Sequence, residues 1–231
     1  MIEVLSKVGL AFFVILLSLG GTATTSFAHT GSQWWFETWP SGDVKYDMTV
    51  GVPGTLGSSY HDEIAEGGKK WNALTNFITF KRSGNEVANF GDAQACNNPS
   101  AIHWTNHSSG VAYTLVCQNF FGTVLDRFQI TFDSDLPMSE GWYWGFVGVP
   151  QGILDYPVQG VSGHEFGHGA GGWHSSESGH FDPTETPNLC GSSVPLADLH
   201  TMCSNISNAI GTTHENSLET HDKHTFQHWY P

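Results

Sequence analysis

The chain has 231 residues, a formal net charge of −14 and only 13% charged residues. That length suits one domain with a core of its own. The acidic balance, with Lys and Arg together numbering eight, excludes a nucleic-acid surface, which needs clustered cations.

The first 28 residues read as a secretory signal peptide. Lys7 gives the basic start, and residues 8–19 are an apolar run too short for a membrane span. Ser26 and Ala28 place small side chains at the −3 and −1 positions of a cleavage site. The mature chain is therefore expected to be secreted and extracellular, a monomer without stable membrane association. Residues 29–42 form an aromatic-rich lead-in, and residues 43–231 form the domain proper.

"KYDMTVGV" alternates Tyr46, Met48, Val50 and Val52, the pattern of a half-buried strand. A helix is predicted over 59–74. Tyr60, Ile64, Trp71 and Leu74 share a face, Ser59 caps it, and Gly67 and Gly68 weaken it. "FITFKR" is a second strand, and residues 83–100 are a polar loop. "AIHW", "GVAYTLVC" and "RFQITFDSD" are further strands, and "GWYWG" is an aromatic loop. A helix is predicted from Pro157 to 170. Residues 175–213 show little periodicity, and "SLETHDKHTFQHWYP" closes the chain as a helix.

Four cysteines remain after the signal: Cys96, Cys117, Cys190 and Cys203. An even count in an exported chain reads as two disulfides, with three pairings open. Short loops favour Cys96–Cys117 and Cys190–Cys203.

The richest chemistry lies in "VSGHEFGHGAGGWHSS", residues 161–176. His164 and His168 are four apart, so on a helix both imidazoles face one point. Two neutral ring nitrogens suit zinc, which in catalytic sites takes three protein ligands and one open position. A continuing helix cannot bring the third. Gly171 can take a positive φ, end the helix and swing His174 back toward the same ion. Glu165 is offset from both histidines and suits a general base that takes a proton from zinc-activated water. A bare His-Glu-x-x-His arises by chance in roughly one such sequence in thirty; Gly171 and His174 lower that to about one in several thousand.

"HEFGHGAGGWHSS" resembles the signature of the metzincin zinc endopeptidases. Ser175, after the third histidine, makes it most similar to the matrixin (matrix-metalloproteinase-like) branch. The order of "VKYDMTV", "KKWNALTNFITFKRS", "RFQITFDSD" and the closing helix is also similar to matrixin catalytic domains. The resemblance implies an α+β metzincin-type catalytic domain over 43–231. Its parts would be a twisted, mainly parallel sheet, an active-site helix and an irregular C-terminal subdomain ending in a helix. It implies one catalytic zinc on His164, His168 and His174, with Glu165 as base. It also implies a methionine turn beneath the metal, which "LHTMCSN" supplies as Met202. Asp133 and Asp135 fall where related enzymes hold calcium, a second cofactor candidate. His103 and His107 are a candidate pair for a further metal, or a plain hydrogen-bonded pair. No cysteine-switch propeptide is visible.

The activity expected is hydrolysis of peptide bonds in an extended peptide or protein substrate, lying across the cleft along the sheet edge at 110–116. Two other readings fit the chain less well: a non-catalytic zinc or carbohydrate-associated binding module, and a zinc amidase acting on a small or cell-wall substrate. The intact Glu165 argues against the first.

Overall fold

A computed structural model describes residues 24–25, 38–49, 59–87, 99–105, 111–134, 143–145, 155–172, 201–202, 218 and 220–231. Its strands are β1 (Thr24–Thr25), β2 (Gly42–Thr49), β3 (Ile78–Val87), β4 (Ala101–Thr105), β5 (Ala112–Gln118), β6 (Leu125–Asp133), β7 (Tyr143–Gly145) and β8 (Asp155–Pro157). Its helices are α1 (Ser59–Asn72), α2 (Val158–Gly169) and α3 (Thr220–Trp229). The class is the expected α+β.

The main sheet runs β1-β5-β6-β4-β2-β3. β2 pairs in parallel with β3 and β4, and β4 with β6. β5 is antiparallel to β6, and Thr24–Thr25 pair antiparallel with the outer side of β5 at Leu115 and Val116. The sheet is thus mainly parallel, with antiparallel strands at one margin. β7 and β8 form a separate parallel pair. "GWYWG", expected as a loop, therefore carries a short strand; its alternation is too brief to show in sequence.

β2, β4, β5 and β6 form where their patterns place them, whereas β3 runs on to Val87, into the stretch expected to be a polar loop. β2 buries Val44, Tyr46 and Met48 and leaves Lys45 exposed. β6 departs from simple alternation, since every residue from Phe128 to Asp133 is buried. It lies between β5 and β4, inside the sheet, and along this stretch neither of its faces is open to solvent.

α1 and α2 meet closely. A Cβ on Gly67 would lie 2.5 Å from Ser162 Oγ and 2.7 Å from the Gly163 nitrogen. The Gly67 that weakens α1 by propensity is thus the point where two backbones approach. Ser162 Oγ donates to the Ile64 carbonyl at 2.7 Å, and Trp71 Nε1 donates to the Gly163 carbonyl at 2.8 Å. Every residue of α2 except Gln159 is buried. This glycine-rich helix owes its stability to packing rather than propensity.

Phe166, inside the histidine motif, turns toward the sheet. Its ring lies 5.1 Å from Tyr46, 5.0 Å from Phe80 and 5.7 Å from Phe128. Trp39, within the predicted lead-in, is also part of this core, edge-on to Phe128. Among the described residues no helix is long and apolar enough to cross a membrane.

Candidate metal centre

α2 ends in a turn whose backbone groups are closely accounted for. Gly171 takes φ +91°, a conformation glycine adopts without steric cost. Its N–H donates to the His168 carbonyl at 2.8 Å, and the Gly172 N–H reaches back to the Gly167 carbonyl at 2.9 Å. This pair of bonds is the Schellman arrangement. The next two carbonyls find side chains. Trp39 Nε1 donates to Gly169 O at 2.7 Å, and the Tyr230 hydroxyl donates to Ala170 O at 2.6 Å. The helix exit is therefore gripped by residues from both ends of the domain.

The two described histidines of the motif converge. Their Nε2 atoms are 3.1 Å apart. Each Nδ1 lies against a carbonyl: His164 on Thr201 O at 2.6 Å and His168 on Gly172 O at 2.9 Å. A carbonyl only accepts, so each Nδ1 carries the ring proton, and in the neutral rings each Nε2 presents a lone pair. Two lone pairs that close repel unless a cation lies between their axes. A tetrahedral zinc bound at about 2.0–2.1 Å by each nitrogen needs the pair roughly 3.3 Å apart, close to the observed separation. The donor set therefore fits a zinc ion. A carbonyl on the second ring nitrogen is also the usual way a ligand histidine is oriented.

Thr201 is also held through its own N–H, which donates to Asp222 Oδ2 on α3 at 2.9 Å. Asp222 is buried. Its carboxylate thus holds the amide of the same residue whose carbonyl meets His164. Met202 follows in the same turn and packs beneath α2. A Cβ on Gly167 would lie 2.2 Å from Met202 Sδ and 2.8 Å from Trp71 Cζ2. Only glycine at 167 lets the methionine approach the helix so closely.

Glu165 is 3% exposed, and burial pushes its carboxyl up to about 7. A hydrogen bond from Thr114 opposes that rise, with Oγ1 2.6 Å from Oε2. A carboxyl near this range can both take and return a proton at neutral pH.

His174 lies outside the described residues, and so do Cys96, Cys190, Cys203, Asp135 and His107. Among the described residues no group of three or more His, Cys, Asp or Glu side chains gathers as a metal site; His164 and His168 are the part of the expected ligand set that is described. Cys117 is buried and disulfide-bonded, and its partner is outside the described residues. Asp133 is buried at the end of β6, and His103 is fully buried on β4.

The sequence reading missed Thr114, Trp39 and Tyr230 as partners of the motif, and Asp222 as the anchor of the Thr201 turn. Thr114 carried one signal, a hydroxyl in the apolar run "YTLVC", since a buried hydroxyl needs a partner.

No family model matches the sequence, and no curated protein does. Among solved structures, the chain overlaps myroilysin with a TM-score of 0.41 and 14% identity, over 84% of this chain and 95% of that one. It overlaps high choriolytic enzyme 1, a hatching enzyme from the medaka Oryzias latipes, with a TM-score of 0.42 and 12% identity, over 87% and 98%. The second of these neighbours is a zinc protease. Neither is described as a matrix metalloproteinase, so the matrixin branch gains no support from them. Both overlaps are loose, and the chemistry of the site stands on the chain's own groups.

Proposed function

We propose that the chain is a secreted, zinc-dependent endopeptidase of metzincin type. The observation that carries this reading is the pair of Nε2 atoms 3.1 Å apart, each ring anchored on a carbonyl, with a buried carboxyl one residue from the first. A structural zinc site has no use for that carboxyl. His164 and His168 would hold the metal together with His174, beyond the Gly171 turn.

When bound, the zinc supplies an acidified water and polarises the carbonyl to be attacked. Glu165 accepts the water's proton at Oε1 while Thr114 holds Oε2. It then returns that proton to the amine that leaves. Met202 keeps the floor of the site apolar and dry.

An extended substrate would lie along β5. Thr114 to Cys117 of this strand are all buried, and its outer edge already accepts an antiparallel pair, from Thr24–Thr25, at Leu115 and Val116. That supports binding by strand addition. Thr114 belongs to the same strand, so a peptide paired there would run beside Glu165. Secretion is supported by the signal pattern in residues 1–28 and by a disulfide at Cys117, which suits an oxidising compartment.

Replacing Glu165 with Gln tests the reading. The variant is expected to keep its zinc and to lose about 100- to 10,000-fold in peptide cleavage. A zinc-loaded variant that still digests casein at the wild-type rate overturns the assignment. Hydrolysis of cell-wall fragments with intact casein would move the activity to an amidase.

A further inference from the structure

We propose that Thr114 is a positioning residue for Glu165, its hydroxyl locking the carboxylate in the orientation that peptide hydrolysis needs. The inference rests on the peptidase reading above and adds to it a residue from the opposite layer of the fold.

Thr114 is 1% exposed, and the three residues after it, Leu115, Val116 and Cys117, are buried too. An apolar side chain would be the ordinary occupant of such a position, and valine has nearly the same shape. A hydroxyl there must find an acceptor or cost stability. It finds two, both on one residue: Oγ1 lies 2.6 Å from Glu165 Oε2 and 3.0 Å from the Glu165 carbonyl oxygen. The single hydroxyl hydrogen can serve either acceptor in turn. Thr114 thereby ties the tip of the Glu165 side chain to the sheet.

A glutamate has three side-chain torsions, and holding it in one rotamer costs entropy. β-branched threonine is stiff at χ1 and sits on a paired strand, so it is a firm post for that purpose. β1 pairs on the outer side of β5 and belongs to residues 1–28; with the signal peptide removed β5 becomes the sheet edge, and the same strand would orient both the base and a peptide laid along it. A misplacement of a base by even an ångström can cost about 100-fold in rate.

Four chains decide the matter: wild type, Glu165→Gln, Thr114→Val and Thr114→Ser, each loaded with zinc and assayed on one fluorogenic peptide. Thr114→Val is expected to lower kcat about 10- to 100-fold while KM stays within about 2-fold and zinc content is unchanged. Thr114→Ser, which keeps the hydroxyl, is expected to recover most of the lost kcat. A wild-type kcat in Thr114→Val overturns the proposal, and so does a Thr114→Ser as slow as Thr114→Val. Should Thr114→Val fail to fold, Thr114→Ala against Thr114→Ser isolates the hydroxyl at reduced side-chain size; equal kcat in that pair overturns the proposal. If wild type cuts, Glu165→Gln does not and Thr114→Val matches wild type, only the role of Thr114 is lost. If wild type does not cut, or Glu165→Gln cuts as well, the peptidase reading itself fails.

Discussion

Two buried histidine settings in this molecule differ in a way that burial alone does not convey. His164 and His168 on α2 are 4% and 6% exposed, and His103 on β4 is 0% exposed. The α2 rings each rest Nδ1 on a backbone carbonyl, so each Nε2 aims at the other. His103 lies on a strand within the sheet, and burial drives its pKa down to about 4. A histidine becomes a metal ligand by being oriented, and orientation here comes from the Thr201 turn and the Gly172 exit. Burial by itself makes a ring resist protonation, as at His103.

The contrast breaks most sharply under substitution. His168→Ala is expected to reduce bound zinc to less than about a tenth of the wild-type level, whereas His103→Gln keeps it, as read by metal analysis of the dialysed proteins. Equal zinc in both variants would erase the distinction. Next in size is the support behind His164. Asp222→Ala frees the Thr201 amide and is expected to weaken zinc binding about 10- to 100-fold, measured by competition with a chromophoric chelator.

His103 has its own signature in the pH dependence of stability. Its folded pKa of about 4 lies below the ordinary 6.5. Between those values the unfolded chain binds the proton and the folded chain does not. The stabilisation is full above pH 6.5 and is lost as pH falls through 4, on the order of 3 kcal/mol in all. Denaturant melts at stepped pH should show that slope in wild type and its loss in His103→Gln. The smallest effect is at the helix exit. Tyr230→Phe leaves the Ala170 carbonyl without its hydroxyl partner and is expected to cost about 1–3 kcal/mol, seen as a lower denaturation midpoint with zinc content unchanged.

The local parts of this site are legible in the sequence because they depend on spacing. His164 and His168 stand one helical turn apart, and Gly171 falls where the chain must change direction. The strand around Tyr46 and Met48 is legible for the same reason. What spacing cannot show is which distant group meets which. Thr114 and Glu165 are 51 positions apart, and Trp39 and Gly169 are 130 apart. Such meetings are set by how layers pack, and a single sequence carries no record of them. Gly67 illustrates the difficulty. Helix propensity marks it as a defect, and only the approach of Ser162 reveals it as a contact point.

Zinc content, read beside proteolysis of a broad peptide mixture, tests the central claim most directly. The account predicts one zinc per folded chain, cleavage that stops when a chelator removes it, and cleavage restored when zinc is returned. A folded chain that takes up no zinc, or that cuts equally well after the metal is stripped, would contradict it.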